Sequence, residues 1–115
     1  MNAATKQISV TDLKSRLDAG EDIFILDIRE GHELDIAAIG HTMHIPMGEL
    51  SQRYQEIDNL YGTDKERDLV VMCRSGARSM RCVDFLRQQG YGKALNMEGG
   101  ILAWADKVDN NVQKY

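Results

Sequence analysis

"LVVMCRSGARSM", residues 69–80, joins an apolar run to a helix-like stretch through a turn of small and basic residues. The run "LVVMC" (69–73) shows no polar alternation, the pattern of a strand buried on both faces. "ARSMRCVDFLRQQG" (77–90) then reads as a helix stopped by Gly90. A buried strand running straight into a helix is the repeating unit of a parallel α/β sheet. The same unit puts a thiol, Cys73, at a strand end beside Arg74, Arg78 and Arg81.

The flanking sequence repeats the theme. "DIFILDI" (22–28) predicts a second buried strand, "ALNM" (94–97) a third, and "MHIP" (43–46) a short one closed by the only proline. "VTDLKSRLDAG" predicts a helix with Thr11 as N-cap, Leu13 and Leu17 on one face and Gly20 as stop. "REGHELDIAA" reads as a short helix, and "GELSQRYQEIDNLYG" as one that puts Leu50, Tyr54, Ile57 and Tyr61 on a single stripe. "GGILAWADKV" gives a last helix with Ile101, Trp104, Ala105 and Val108 at helical spacing. The expected fold is an α/β sandwich with a mainly parallel central sheet and helices on both faces.

At 115 residues the chain fits one domain, residues 1–115, able to bury roughly two-thirds of its unfolded surface. Its core is expected over about residues 8–108, between a polar N-terminal arm and a charged tail, "DKVDNNVQKY", read as a solvated end. A composition 43% hydrophobic and 28% charged is that of an ordinary globular protein. The net charge of −4 argues against a nucleic-acid partner, which needs a basic face. No apolar run approaches the ~20 residues needed to cross a bilayer, and "MNAATKQISV" lacks a signal-peptide core. A cytoplasmic protein with reduced thiols is the expectation. The two cysteines form no Cys-x-x-Cys pair, and His41 and His44 lack further partners, so no metal site is expected.

Ligands of parallel sheets bind beyond the carboxyl ends of the strands, where the Cys73 loop is expected to lie. Small residues at Ser75, Gly76 and Ala77 let the backbone curl, so that several N–H groups converge on one point at the helix start. That point suits an anion: the Cys73 thiolate or a group attached to it. A helix N-terminus and neighbouring arginines lower a thiol's pKa, which makes Cys73 a candidate nucleophile towards sulfur, phosphorus or arsenic without a histidine base. Arg78 at the helix start, and Arg74 from the loop, are candidates to hold an anionic donor. The bland reading, a packing cysteine among solvated arginines, explains neither the glycine nor the strand end. Cys82 lies on an apolar helical face, and packing is its expected role.

Three segments together resemble the rhodanese family, in particular its single-domain sulfurtransferases: "LDIRE" (26–30), "CRSGARS" (73–79) and "MEGGILAW" (97–104). With the element order, the resemblance runs from about Ile8 to Trp104. It implies a three-layer rhodanese-like sandwich and a two-step sulfur exchange. Cys73 would take the sulfane sulfur of thiosulfate or a similar small anionic donor, become a persulfide, and pass the sulfur to cyanide, a thiol or a sulfur-relay protein. No metal or organic cofactor is called for. The resemblance assigns Asp27 and Arg29 a supporting role behind the loop; a purely structural ion pair is the equal alternative.

Related phosphatases and arsenate reductases carry one more residue between cysteine and arginine. Here four residues separate Cys73 from Arg78, which favours a single sulfur atom in the cradle. A phosphatase or arsenate reductase is therefore the weaker alternative, and a non-catalytic sulfur carrier or protein-binding module is the alternative from another class. One stretch departs from the family pattern: at "AAIGHT" (37–42), His41 stands where a glycine is usual and Ala38 where the family histidine would be. His41 is expected to be a surface histidine or to rim the site.

Overall fold

The computed structural model describes residues 5–115, so residues 1–4 of the expected N-terminal arm lie outside it. Four strands and the helices between them follow the sequence pattern: α1 (Val10–Asp18), β2 (Phe24–Asp27), α2 (Gly31–Ile36), β3 (Met43–His44), β4 (Leu69–Met72), α5 (Ala77–Gln88), β5 (Ala94–Met97) and α6 (Gly100–Lys107). A strand not anticipated, β1 (Gln7–Ile8), precedes them and pairs with β5. Two residues of mixed polarity carry no period, so only the neighbouring strand reveals it.

All pairings are parallel and the strand order is β1-β5-β4-β2-β3. The unbroken apolar runs follow from cover on both faces. Leu26, Leu69 and Val71 point into a core with Leu50, Ile57, Tyr61, Val83 and Leu86. Ile25, Val70 and Met72 point the opposite way, into a core with Val10, Leu13, Ile101 and Trp104. The alternation of a strand's side chains thus feeds the segment 47–61 and α5 on one side and α1 and α6 on the other.

Two local expectations change. The N-cap of α1 is Ser9, whose side chain accepts a hydrogen bond from the Asp12 N–H, while Thr11 sits inside the first turn. Ser9 is the last extended residue and can turn its oxygen onto the helix end, which Thr11 cannot. The expected single helix after Pro46 is broken into a 3₁₀ turn (Met47–Glu49), α3 (Leu50–Arg53), a second 3₁₀ turn (Tyr54–Ile57) and α4 (Asp58–Tyr61). Its apolar stripe is nevertheless buried at Leu50, Ile57 and Tyr61. Edge-to-face contacts of Tyr54 with Phe85 and of Phe24 with Tyr61 hold the segment against the sheet and α5. Packing decides the winding here, because turns this short gain little from helix propagation.

The tail also differs from the expectation of a solvated end. Val112 and Tyr115 pack against the core that contains Trp104, and Tyr115 reaches the carboxyl end of the sheet. Among the described residues, no helix is long and apolar enough to cross a membrane.

Candidate active site

β2 and β4 are adjacent and in register, with Asp27 opposite Met72, so Asp27 and Cys73 emerge at the same edge of the sheet. The chain after Cys73 turns through Gly76, whose φ of +98° admits a residue without Cβ most readily, and enters α5. This turn aims three donors at one sulfur atom. Cys73 Sγ receives the Gly76 N–H at 3.1 Å, the Ser79 N–H at 3.4 Å and the Ser79 hydroxyl at 3.3 Å. Burial pushes the Cys73 thiol up, but these bonds from Ser79 and Gly76, with the Ser75 N–H, bring its pKa below the ordinary thiol value.

The loop is closed from behind by the start of α6. Ile101 N–H donates to the Cys73 carbonyl at 2.9 Å and Leu102 N–H to the Arg74 carbonyl at 3.1 Å. Gly100, at φ +62°, lies so near that an added Cβ would fall 2.6 Å from the Cys73 oxygen and closer still to the Arg74 carbonyl. Each glycine of "MEGGILAW" therefore has a steric reason: close backbone approach at Gly100, and at Gly99, φ +79°, an added Cβ that would fall 2.6 Å from the Ala103 Cβ.

The arginines are placed less freely than the sequence implies. Arg78 is half-buried and already paired: its two terminal nitrogens donate to the two Glu33 oxygens, each at 2.9 Å. Glu33 is buried and also accepts from the Glu30 N–H and the Tyr115 hydroxyl, both at 2.9 Å. The Arg78 guanidinium, against the penalty of burial, holds the Glu33 carboxyl at about 2, with the Glu30 N–H and Tyr115 assisting. Arg74 is exposed and lies over the Tyr115 ring, 5.1 Å from its centroid. Arg81 lines a groove with Met47, Leu50, Ser51, Cys82 and Phe85 instead of joining the Cys73 contacts.

Asp27 and Arg29 form a buried pair, 2% and 0% exposed, with Arg29 Nη2 2.8 Å from Asp27 Oδ2. Arg29 also donates to the carbonyls of Glu33 and Ala37 and to the Tyr115 hydroxyl. It therefore braces α2 and the tail, and meets the Cys73 loop only through Glu33 and Arg78. All its donors face partners, which is what makes a buried guanidinium tolerable.

Sequence reasoning missed four members of this site. Ser79 and Glu33 were inside quoted motifs, but serine and glutamate are too common for spacing to single them out. Asn96 on β5 holds the Ser79 hydroxyl and donates to Gln7 at 3.1 Å, so its role depends on strand order. Tyr115 is far away in sequence, in the segment read as solvated. Cys82 is where the apolar pattern put it, buried in the core, and burial together with the Cys73 charge pushes its thiol up to about 11. His41 is exposed with φ +53°, in a hollow with Leu17, Ile23, Ile39 and Trp104. The left-handed backbone at His41 is one that glycine adopts with less strain. His44 Nε2 lies 2.6 Å from the Arg29 carbonyl oxygen. Among the described residues, no group of His, Cys, Asp and Glu side chains is arranged to hold a metal ion.

A family model described as the rhodanese-like domain matches residues 9–107. A sulfurtransferase of Allochromatium vinosum is 41% identical over 99 residues, covering 86% of this chain and 87% of that protein. The solved structure of the human single-domain sulfurtransferase TSTD1 superposes with a TM-score of 0.76 at 27% identity, covering 90% of this chain and 97% of that one. A rhodanese-related protein of Thermoplasma volcanium superposes with a TM-score of 0.75 at 29% identity, covering 90% and 93%.

Proposed function

The chain belongs to the rhodanese-like domain family, and from that premise we propose that it is a sulfurtransferase carrying sulfane sulfur as a persulfide on Cys73. The observation that carries this reading is the convergence of the Gly76 N–H, the Ser79 N–H and the Ser79 hydroxyl on Cys73 Sγ. Those donors stabilise a sulfur anion, first the thiolate and then the terminal sulfur of the persulfide.

In the first half-reaction the Cys73 thiolate attacks the outer sulfur of a donor, with thiosulfate as the simplest probe. A Cys73 S–S bond forms, the donor's S–S bond breaks, and sulfite leaves with the electron pair. In the second, a thiolate or cyanide attacks the outer persulfide sulfur and Cys73 leaves as thiolate. The low thiol pKa serves both steps, since it supplies nucleophile and leaving group. Ser75, Gly76 and Ala77 form the turn, Arg74 is the guanidinium open to the donor, and Asp27 with Arg29 keeps α2 in place behind Arg78.

The cradle is filled by Sγ itself, with N–H groups 3.1 and 3.4 Å away, which favours a single added sulfur over a tetrahedral oxyanion. The test is intact-protein mass after adding thiosulfate without acceptor, on the wild type and Cys73→Ser. A gain of about 32 Da, one sulfur atom, on the wild type alone is the expected outcome of covalent catalysis. No gain, with arsenate or aryl phosphate consumed instead, would overturn the reading. Slow discharge by cyanide after rapid loading by a partner desulfurase would make the protein a carrier rather than a turnover enzyme.

A further inference from the structure

The site holds more charge than its chemistry needs, and most of it is already paired. Arg29 is cancelled by Asp27 and Arg78 by Glu33. Arg74, packed on the Tyr115 ring, forms no salt bridge among the described residues. Arg81 is likewise unpaired among the described residues but lines the groove beside Cys82, which leaves Arg74 as the unpaired guanidinium of the Cys73 loop itself. Glu33 cannot easily swing aside: it is buried, and both Arg78 nitrogens, the Glu30 N–H and the Tyr115 hydroxyl hold it. Tyr115, which lies beyond the residues matched by the family model, is itself held by Arg29 at 2.9 Å.

We propose that Glu33 is a selectivity residue: by occupying Arg78 it biases the Cys73 site towards persulfide donors of single negative charge and against the thiosulfate dianion. This rests on the sulfurtransferase reading and narrows its donor class. Thiosulfate meeting the Cys73 thiolate brings three negative charges together, and a persulfide anion brings two. Glu33 cancels the Arg78 charge and takes two of its five N–H groups, so while the pair stays closed Arg78 adds little net attraction for a dianion. A monoanion needs Arg74 alone. With an alkyl persulfide the step balances without any further reactant. Cys73 Sγ bonds to the outer sulfur of R–S–S⁻, the donor's S–S bond breaks, and RS⁻ departs with the electron pair to take a proton from water.

The experiment measures the rate of the 32 Da gain, one sulfur atom, against donor concentration, with thiosulfate and with cysteine persulfide, on the full chain. Three proteins are compared: wild type, Glu33→Gln, and the charge-neutral pair Glu33→Gln with Arg78→Gln. Glutamine can still accept the Glu30 N–H while releasing Arg78. In Glu33→Gln, half-saturation by thiosulfate should fall about fivefold or more, an electrostatic gain of ordinary size. Half-saturation by cysteine persulfide should change less than about twofold in that variant, because the monoanion does not use Arg78. The double variant should return both donors to within about twofold of wild type, and it keeps the proposal testable if the single variant does not fold. Equal shifts for both donors, no shift for thiosulfate, or loss of thiosulfate uptake in the double variant would overturn the proposal. No sulfur gain from either donor on the wild type would instead sink the sulfurtransferase reading itself.

Discussion

The Ser79 hydroxyl lies 3.3 Å from Cys73 Sγ while its other contact is the Asn96 amide oxygen, so one hydrogen faces two acceptors. Ionisation of Cys73 draws that hydrogen to sulfur, because a bond to a charged acceptor is the stronger one. Ser79→Ala should therefore raise the pH midpoint of Cys73 alkylation by about one unit, the worth of one such bond. Rates of iodoacetamide labelling between pH 5 and 9 would show it. An unchanged midpoint would assign the lowered pKa to the backbone N–H groups alone.

The two thiols should separate cleanly. Cys82 has a pKa of about 11 and stays protonated near neutrality, while Cys73 is shifted the other way. Cys73→Ser should abolish sulfur uptake; Cys82→Ser should keep most of it and lose about 1–2 kcal/mol of stability by burying a hydroxyl in an apolar site. Mass spectrometry with a denaturant titration checks both. Equal loss of uptake would give Cys82 a chemical role.

Gly100→Ala would force a Cβ against the Cys73 and Arg74 carbonyls at a left-handed φ. A destabilisation on the order of 2 kcal/mol is expected from the backbone alone, with loss of activity as the loop is displaced. Thermal melting and the sulfur-uptake assay, read together, test this. A fully active alanine variant would show that the loop tolerates a shifted α6.

Glu33 gives the fold an acid-sensitive element. Its carboxyl titrates near 2 in the folded chain against an ordinary value of 4.5. The contribution is full above about pH 4.5 and is lost as pH falls towards 2, and it should amount to roughly 3 kcal/mol. Urea midpoints measured across pH 2–6 should fall with acid in the wild type, and less steeply in Glu33→Gln. Parallel curves would put the acid sensitivity elsewhere.

Arg29→Ala would leave Asp27 buried without its cation and free the Glu33 and Ala37 carbonyls. Breaking a buried pair from one side costs about 3–5 kcal/mol, enough to leave a small domain marginal. The expected result is a large fall in the urea midpoint. A small one would mean that water reaches Asp27 when the guanidinium is removed.

Fold class, the three longer strands at the sheet's centre and the thiol at the strand end were legible in the sequence, because each is a local signal. Leu69–Met72 must be covered on both faces to bury four consecutive apolar side chains, and Gly76 marks a turn that other residues adopt with strain. β1 and the broken winding of residues 47–61 were not legible. The two-residue β1 and single turns have no period of their own and take their shape from what they pack against, whereas the equally short β3 was marked by the proline that closes it.

The divide within the site follows the same physics. The sequence by itself determined that a thiol, a glycine turn and a helix start fall together at Cys73–Arg78, since neighbours in the chain cannot be far apart in space. Only the tertiary structure decided what those groups are free to do. Glu33 reaches Arg78 from another strand-to-helix turn, Asn96 reaches Ser79 across the sheet, and Tyr115 returns from the tail to meet Arg74 and Glu33. Charge pairing depends on distances of 3–4 Å between atoms remote in sequence, and no spacing along the chain encodes those.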